Sequence, residues 1–118
     1  MEFEDRVKTL IQAIPRGRVA TYAQIASLAG NYRAARQVAR VLHSSSEKDG
    51  LPWHRVINSR GGISLRRGRG FEEQRRRLRN EGVAVGRSGR VDLERFQWEP
   101  PGLPSRAARE FLRRLNGE

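Results

Sequence analysis

Apolar residues near the start of the chain recur at helical spacing, and this pattern limits the possible folds more than any other. Spacings of three and four positions separate Phe3, Val7, Leu10, Ile11 and Ile14. Such spacing places the side chains on one face of a helix. Pro15 follows and ends the pattern, since proline interrupts a helix. A core helix is therefore predicted over residues 3–14.

Two further helices are predicted around a glycine turn. Thr21 is a typical N-cap residue, and Gln24 three positions later completes the pattern of a capping box, so a short helix is predicted up to Gly30. A second helix is predicted from about Arg33 to Leu42. Its apolar residues Ala34, Val38, Val41 and Leu42 face inward, and Arg33, Arg36, Gln37 and Arg40 face out. Two short helices about a glycine, the second rich in arginine, resemble a helix-turn-helix.

The second half of the chain predicts shorter elements. A polar loop is predicted over residues 44–50, and a basic helix over residues 71–78. Hairpins are predicted for 56–57 with 63–64 across a turn at 58–62, and for 82–85 with 90–93 across a turn at 86–89. The pattern favours a mainly α domain over residues 1–100 with short β hairpins. Residues 101–118 are predicted to form a proline-rich linker and a terminal amphipathic helix, in which Phe111 and Leu112 either dock a partner or pack on the domain.

The charge of the chain points to a polyanionic partner. Arg and Lys number 24 against 13 acidic residues, which gives a net charge of +11, and only Lys8 and Lys48 are lysines. Guanidinium groups bind phosphate oxygens in pairs and stack on bases, so nucleic acid is favoured over a membrane surface. A solvated surface from an organism with arginine-biased coding is the alternative.

Composition excludes several kinds of chemistry. The 118 residues contain no cysteine and two histidines, which excludes disulfides and sulfur nucleophiles and leaves little for a zinc site. No cofactor or metal is expected.

No apolar run reaches the roughly 18 residues of a membrane span, and the first residues lack the pattern of a signal peptide. A soluble intracellular protein is predicted, in the cytoplasm or nucleoid, or in the nucleus if the source is eukaryotic.

The most informative motif of the sequence is the segment Pro52-Trp53-His54-Arg55-Val56-Ile57. It resembles the active-site motif Pro-Cys-His-Arg-Val of the O6-alkylguanine DNA alkyltransferases, with Trp53 in place of the acceptor cysteine. That replacement is the mark of the alkyltransferase-like proteins. The resemblance runs from about Phe3 to Pro100. It includes Pro15-x-Gly17-x-Val19, Thr21-Tyr22, Ala35-Arg36-Gln37-Val38, Asn58-Ser59-x-Gly61 and Glu81-Gly82-Val83. It implies a winged-helix-like helix-turn-helix domain like the C-terminal domain of these enzymes.

The resemblance implies a binding protein without the enzyme's reaction. In the alkyltransferases a thiolate attacks the alkyl carbon, and a His, a water and a Glu form the relay that deprotonates the thiol. His54 and Glu81 match two members of this relay, while the nucleophile is missing. An indole cannot replace a thiolate, so transfer of the alkyl group to the protein is excluded.

The resemblance also implies roles at the DNA. Tyr22 matches the tyrosine that rotates the 3′ phosphate and helps the target nucleotide out of the stack. Arg36 matches the arginine that fills the gap left by the extruded base, and Ala35 and Gln37 belong to the same helix, which lies in the minor groove. On residue type alone, Tyr22 is equally a half-buried ring and Arg36 one more solvated helix residue.

A lesion pocket is implied around the tryptophan motif. Its expected residues are Trp53, His54, Arg55, Val56, Asn58, Ser64, Arg66 and Glu81. Trp53 also fits a core position and His54 a structural histidine, and Asn58 is expected to be structural. Arg66 stands where the alkyltransferases carry a tyrosine that contacts O6 of the base, and where the alkyltransferase-like proteins carry arginine. Its guanidinium can donate to O6 or N7 or stack on the base.

Together these features predict a monomeric, non-enzymatic DNA-damage recognition protein. Its expected partners are double-stranded DNA containing O6-alkylguanine and nucleotide excision repair proteins, with no membrane. Two alternatives remain open. One is a helix-turn-helix regulator without lesion specificity, which would need sequence-specific major-groove contacts. The other is a hydrolase or glycosylase that uses His54 and Glu81 on the extruded base.

Overall fold

The structure, a computed structural model, describes residues 2–100. Its elements, in chain order, are α1 (Phe3–Ala13), β1 (Ala20–Thr21), α2 (Tyr22–Leu28), α3 (Ala35–Asp49), a 3-10 turn (Trp53–Arg55), β2 (Val56–Ile57), α4 (Phe71–Asn80) and α5 (Leu93–Phe96). The described part of the chain is mainly helical, as predicted. No helix among these residues combines the length and the apolar character that crossing a bilayer requires. The predicted linker and helix beyond residue 100 lie outside the described residues.

The first two helices confirm the predictions from apolar spacing and capping. Helix α1 buries Val7 and Ile11. At the start of α2, the Thr21 hydroxyl accepts a hydrogen bond from the Gln24 backbone N–H at 3.0 Å, and the Gln24 side-chain oxygen accepts one from the Thr21 N–H at 3.3 Å. This capping box fixes the point at which the chain leaves β1 and begins α2.

Helix α3 is longer than predicted. It continues to Asp49, so the predicted end at Leu42 and the predicted loop over residues 44–50 are wrong. The serines do not unwind the helix, because the Ser44 hydroxyl donates back to the Arg40 carbonyl at 2.9 Å and the Ser46 hydroxyl donates to that of Leu42. The helix ends only at Gly50, whose φ of +63° is left-handed.

The strand pairing differs from the predicted hairpins. Strand β1 pairs with β2 in parallel, with Ala20 opposite Val56 and Thr21 opposite Ile57. The predicted hairpin of 56–57 with 63–64 is wrong, because residues 61–63 pair instead with residues 89–91. At this contact a Cβ on Gly61 would lie 2.7 Å from the Val91 carbonyl oxygen, so only glycine permits the approach.

The second predicted hairpin is also wrong, although its turn is present. The Gly86 N–H donates to the Arg90 carbonyl at 2.9 Å, which closes the turn, but residues 82–85 form no strand. Instead, the chain after Val91 forms helix α5, capped by the Asp92 carboxylate. Strands this short depend on long-range partners, which sequence spacing does not reveal.

Two apolar clusters support the functional surface. The first joins α1, α2 and α3 with Leu51, Val56 and Trp98. The second lies under α4 and contains Val19, Ile57, Ile63, Phe71, Leu78, Val83, Val85, Val91 and Phe96. Helix α4 confirms the predicted helix at 71–78 and continues to Asn80. The 3-10 turn that carries Trp53 runs between the two clusters, since Trp53 packs on the first and α4 contacts the turn.

Candidate nucleic-acid interface

A cavity of about 1110 Å³ opens between α3, α4 and the 3-10 turn. Its walls combine residues of α3, the segment 50–53, the loop at 64–65 and α4. The lining residues are Tyr22, Ala35, Arg36, Ala39, Leu42, His43, Ser46, Glu47, Gly50, Leu51, Trp53, Ser64, Leu65, Gln74 and Arg77. Small-molecule sites typically measure roughly 300–1,000 Å³, so a nucleobase with a substituent fits in this space. This cavity is called the base pocket below.

The helix-turn-helix places Tyr22, Ala35 and Arg36 together on the pocket wall. Tyr22 follows the Thr21 cap directly, and the half-buried position of its ring raises the pKa of its hydroxyl. Arg36 lies on the first turn of α3 and is exposed. Among residues 2–100 its guanidinium has no hydrogen-bond or ion-pair partner. Within this part of the chain it is therefore available to bind a ligand without first breaking a contact.

Trp53 lines the pocket and packs against the first apolar cluster, so its two predicted positions are compatible. The guanidinium of Arg77 lies over the indole, 5.4 Å from the ring centroid. Glu73 accepts a hydrogen bond from Arg77 Nε at 2.8 Å and so fixes this cation in place. The centroids of the His54 and Trp53 rings lie 6.2 Å apart, and the two rings are nearly perpendicular. These contacts hold the indole as a rigid face of the pocket.

Behind Trp53, His54 and Arg55 form a buried network with Glu81. The Glu81 carboxylate accepts from Arg55 Nη2 at 2.7 Å and Nε at 2.9 Å, and contacts His54 Nε2 at 2.8 Å. Arg55 also donates to the Ile14 carbonyl at 2.9 Å. The network thus joins the motif turn to α1 and to the end of α4. Bidentate geometry of this kind is the strong form of an arginine–carboxylate pair.

The pKa values of the network follow from burial and pairing. Burial lowers the pKa of His54, and the hydrogen bond to Glu81 opposes this only in part. Burial raises the pKa of Glu81, but hydrogen bonds from Arg55 and His54 outweigh that effect and bring the pKa to about 2. A neutral His54 therefore donates its Nε2 proton to an ionised Glu81. Its Nδ1 is then an acceptor, buried and without a partner among the described residues.

Asn58 organises the loop that reaches the pocket. Its side-chain oxygen accepts from the N–H groups of Arg60 at 3.0 Å and Gly62 at 2.9 Å, and its amide donates to the Ser64 hydroxyl at 3.3 Å. Ser64 and Leu65 line the base pocket. Arg66 comes next and is exposed beside this rim.

Only some of the predicted site residues share the pocket wall. Tyr22, Ala35, Arg36, Trp53 and Ser64 do. The others lie elsewhere: Gln37 on the exposed side of α3, Arg66 outside the rim, Asn58 in the supporting loop, and His54, Arg55, Val56 and Glu81 behind the wall. Val56 is fully buried in β2. Among residues 2–100, no group of three or more His, Asp or Glu side chains lies close enough together to hold a metal ion.

Several lining residues were missed by the sequence reasoning. One set is the α3 face that contains Ala39, Leu42, His43 and Ser46, which continues from Ala35 at helical spacing. Extending the helical pattern past Leu42 would have revealed it. Gln74 and Arg77 are a second set, three positions apart on α4. Gln74 is buried and donates to the carbonyls of His54 at 3.1 Å and Val56 at 2.9 Å, which fixes α4 against the motif turn.

Comparisons with known proteins show the family to which this chain belongs. Residues 2–83 match the family described as 6-O-methylguanine DNA methyltransferase, DNA binding domain. The match covers more than half of the chain, and the chain belongs to this family. By the motif resemblance, Trp53 stands at the position of the acceptor cysteine, and the sequence contains no cysteine.

Two relatives and one solved structure define the similarity further. The chain is 50% identical over 96 residues to the DNA base-flipping protein of Escherichia coli (strain K12), covering 81% of this chain and 74% of that protein. It is 38% identical over 104 residues to Alkyltransferase-like protein 1 of Schizosaccharomyces pombe, covering 84% and 96%. A crystal structure of S. pombe Atl1 in complex with damaged DNA containing O6-carboxymethylguanine matches with a TM-score of 0.76 and 37% identity, over 83% of this chain and 95% of that chain. The winged helix-turn-helix prediction is confirmed by this match.

Proposed function

We propose that this protein recognises alkylated DNA by holding an extruded O6-alkylguanine in the base pocket without removing the alkyl group. The observation that carries the proposal is the position of Trp53. It occupies the place of the family's acceptor cysteine, and it lines a pocket that also contains Tyr22 and Arg36. The relatives named DNA base-flipping protein and Alkyltransferase-like protein 1 support the same function.

Extrusion of the base requires a group that fills the gap in the duplex. Arg36 is exposed, unpaired within residues 2–100 and on the first turn of α3. Its planar guanidinium stacks on the flanking bases and donates to the orphaned partner base. Ala35 beside it is small, which lets α3 approach the minor groove closely. Tyr22, on the same wall, contacts the 3′ phosphate and turns the nucleotide outward.

In the pocket, Trp53 offers an apolar face to the alkylated base. Arg66 lies beside the rim at Ser64 and Leu65, and reaches O6 or N7 of the base once DNA is bound. His54, Arg55, Val56, Asn58 and Glu81 act from behind the wall by holding the turn and the loop in place. No proton transfer is required of His54, since no thiol is present for it to deprotonate.

Selectivity follows from the cost of opening the duplex. An O6-alkylguanine pairs poorly with cytosine, so the few kcal/mol spent on unstacking and unpairing are smaller for the lesion than for guanine. The lesion then stays bound, because alkyl transfer needs a sulfur nucleophile. A bound and unrepaired lesion is a signal, and nucleotide excision repair proteins are the proposed recipients. The protein acts as a monomer, with residues 1–100 as the lesion-binding unit.

The test compares duplexes that differ in one methyl group. The protein is titrated against an O6-methylguanine duplex and the matching unmodified duplex at a fixed salt concentration. The mass of the recovered DNA is then measured by mass spectrometry. Tighter binding of the lesion with the methyl still on the DNA is expected. Equal affinity for both duplexes would instead identify a regulator without lesion specificity. Loss of the methyl or of the base would identify an enzyme.

A further inference from the structure

A second concave surface lies on the far side of α4. It is a groove of about 580 Å³ lined by Arg67, Phe71, Glu72, Arg75, Arg76, Arg79, Asn80 and Arg87. This surface is called the arginine groove below. The base pocket and its proposed function make no use of it.

The arginine groove and the base pocket occupy opposite faces of one helix. Arg75 and Arg76 lie four and three positions before Arg79, so each of them is a neighbour of Arg79 on the same side of α4. Gln74 and Arg77, which line the base pocket, project from the other side of the helix, since each residue advances by about 100°. The body of α4, roughly 10 Å across, therefore separates the two sites.

The positive charge of the groove is largely uncompensated. Five guanidinium groups line it, against the Glu72 carboxylate in its wall and Glu73, which binds Arg76 at 2.6 Å. Counted over residues 2–100, three positive charges are left over. Among residues 2–100, Arg79 and Arg87 have no hydrogen-bond or ion-pair partner for their side chains. A concave surface of this kind attracts anions.

Two of the arginines are held in position by the protein. Arg67 Nη2 donates to the Arg87 carbonyl at 2.9 Å, and its guanidinium lies 4.5 Å from the centroid of the Phe71 ring. Arg75 Nε donates to the Gly86 carbonyl at 2.9 Å. Each of these bonds uses one N–H of the guanidinium group and leaves its other N–H groups to bind a ligand. Less side-chain entropy is then lost when a ligand binds.

The ligand chemistry follows from what the groove offers. Guanidinium forks suit phosphate oxygens in pairs. Phe71 is 6% exposed and covered by Arg67, so it offers no face on which a nucleobase could stack. The groove therefore fits a sugar–phosphate backbone whose bases are already stacked, which is the surface of duplex DNA.

On the function proposed above, DNA bound at the base pocket would be poorly placed to fill this groove, because the groove lies on the opposite face of α4. A flank of the same duplex would have to turn around α4 to reach its opposite face. Bending a site of 20–30 base pairs by only 40–90° already costs on the order of several kcal/mol. We propose that the arginine groove binds the phosphate backbone of a second duplex, so that one molecule bridges two DNA segments without sequence preference.

The test counts duplexes on one protein. Duplexes of roughly 12 base pairs, about 40 Å long at 3.4 Å per pair, are too short to follow the protein around α4. One lesion-bearing duplex is immobilised, the full chain is added at less than one molecule per duplex, and capture of a labelled unmodified duplex is measured. Capture of one labelled duplex per bound protein is expected.

The decisive variant is Arg79→Gln with Arg87→Gln, which removes two charges without breaking a contact described above. Capture of the second duplex should fall by roughly tenfold or more near 0.1 M salt, and the slope of its salt dependence by about 2. Affinity for the immobilised lesion duplex should stay the same. The matched control is Arg60→Gln with Arg95→Gln, an equal loss of charge outside both the base pocket and the arginine groove. It should keep capture intact.

Three results would overturn the bridging proposal. They are no capture by the native chain, equal capture by both double variants, and capture displaced by polyglutamate but not by excess unmodified duplex, which would make the groove a site for an acidic protein. The outcome is separable from the proposed function. Capture is also measured with an unmodified duplex on the support, so the second site is tested even where lesion preference is absent.

Discussion

Three consecutive residues of one 3-10 turn lie in opposite environments. Trp53 lines the base pocket, whereas His54 and Arg55 lie behind it, bound to Glu81. On the pocket side, Arg36 and Trp53 present faces that a ligand can contact. Behind the wall, the charged groups are paired and buried. The difference shows that the motif divides into one residue that faces the base pocket and two that hold the turn between α1 and α4.

The largest effect on stability is expected from a substitution in the buried network behind the pocket wall. Arg55→Met leaves the Glu81 carboxylate, 6% exposed, without its main partner. Removal of one member of a buried pair costs about 3–5 kcal/mol, because the remaining charge stays desolvated. Urea unfolding followed by circular dichroism measures the loss.

The control for this change is the double variant Arg55→Met with Glu81→Gln. It removes both charges and should recover part of the stability, since no charge is left uncompensated. Lesion preference, measured at a temperature where each variant is fully folded, should be that of the native chain. Reduced preference in a folded variant would show that the network takes part in recognition directly.

The pH dependence of stability tests the same network. The pKa of Glu81 is about 2 in the folded protein against an ordinary 4.5, so its stabilisation is present above about pH 4.5 and is lost as the pH falls through about 2. The amount is on the order of 3 kcal/mol. His54 acts in the same direction, because its lowered pKa makes the folded state less stable as the pH falls below 6.5.

Urea midpoints measured from pH 8 to pH 2 should therefore decrease in two stages, the first below about 6.5 and the second below about 4.5. In Glu81→Gln the second stage should shrink. If the second stage is unchanged in that variant, other carboxylates account for the decrease in stability below about pH 4.5.

The next effect concerns the pocket side. Arg36→Ala should weaken binding of the O6-methylguanine duplex by roughly tenfold to hundredfold, since stacking on bases is worth about 1–3 kcal/mol. Stability should change by less than about 0.5 kcal/mol, because the side chain is exposed and unpaired within the described residues. Fluorescence anisotropy with labelled duplex gives the affinity.

Two control variants test whether the loss of binding is specific to Arg36. Gln37→Ala changes the neighbouring residue outside the base pocket, and Arg76→Ala removes an equal charge on the far face of α4. Each should weaken lesion binding far less than Arg36→Ala. Similar losses in all three would remove the special role of Arg36 and leave only diffuse attraction to phosphate.

The smallest effect is expected at the cap that positions Tyr22. Thr21→Val keeps the branched shape of a 5% exposed residue but removes the hydroxyl that accepts from Gln24. Loss of an N-cap costs about 1 kcal/mol, which lowers the melting temperature by roughly 4–8 °C in a domain of this size. A scan of heat capacity measures it. An unchanged melting temperature would show that the cap contributes no stability.

Local signals in the sequence predicted helices α1, α2 and α4 well, whereas α5 begins where a strand was predicted. The apolar spacing of α1 and the Thr21–Gln24 capping box depend on neighbours a few residues apart, and both are present. The end of α3 was missed, because polar serines suggest a loop unless their hydroxyls bond the preceding turn. The hairpins were wrong, since β2 pairs with a strand more than thirty residues earlier.

The site was predictable only where a motif identified it. Tyr22, Arg36 and Trp53 came from the resemblance and do share one pocket wall. Gln74 and Arg77 were not expected, because their place depends on how α4 packs against the motif turn. The resemblance also implied that Arg55 and Glu81 belong to the pocket, whereas in the structure they pair with each other at 2.7 Å and do not line it.

The central claim is that the damaged base leaves the duplex and enters the base pocket. A crystal structure of this protein bound to an O6-methylguanine duplex tests it most directly. The account predicts the methylated base against Trp53, with Arg36 in the gap between the flanking base pairs and the methyl group still on O6. A complex in which the methylated guanine remains stacked in an undistorted helix would contradict it.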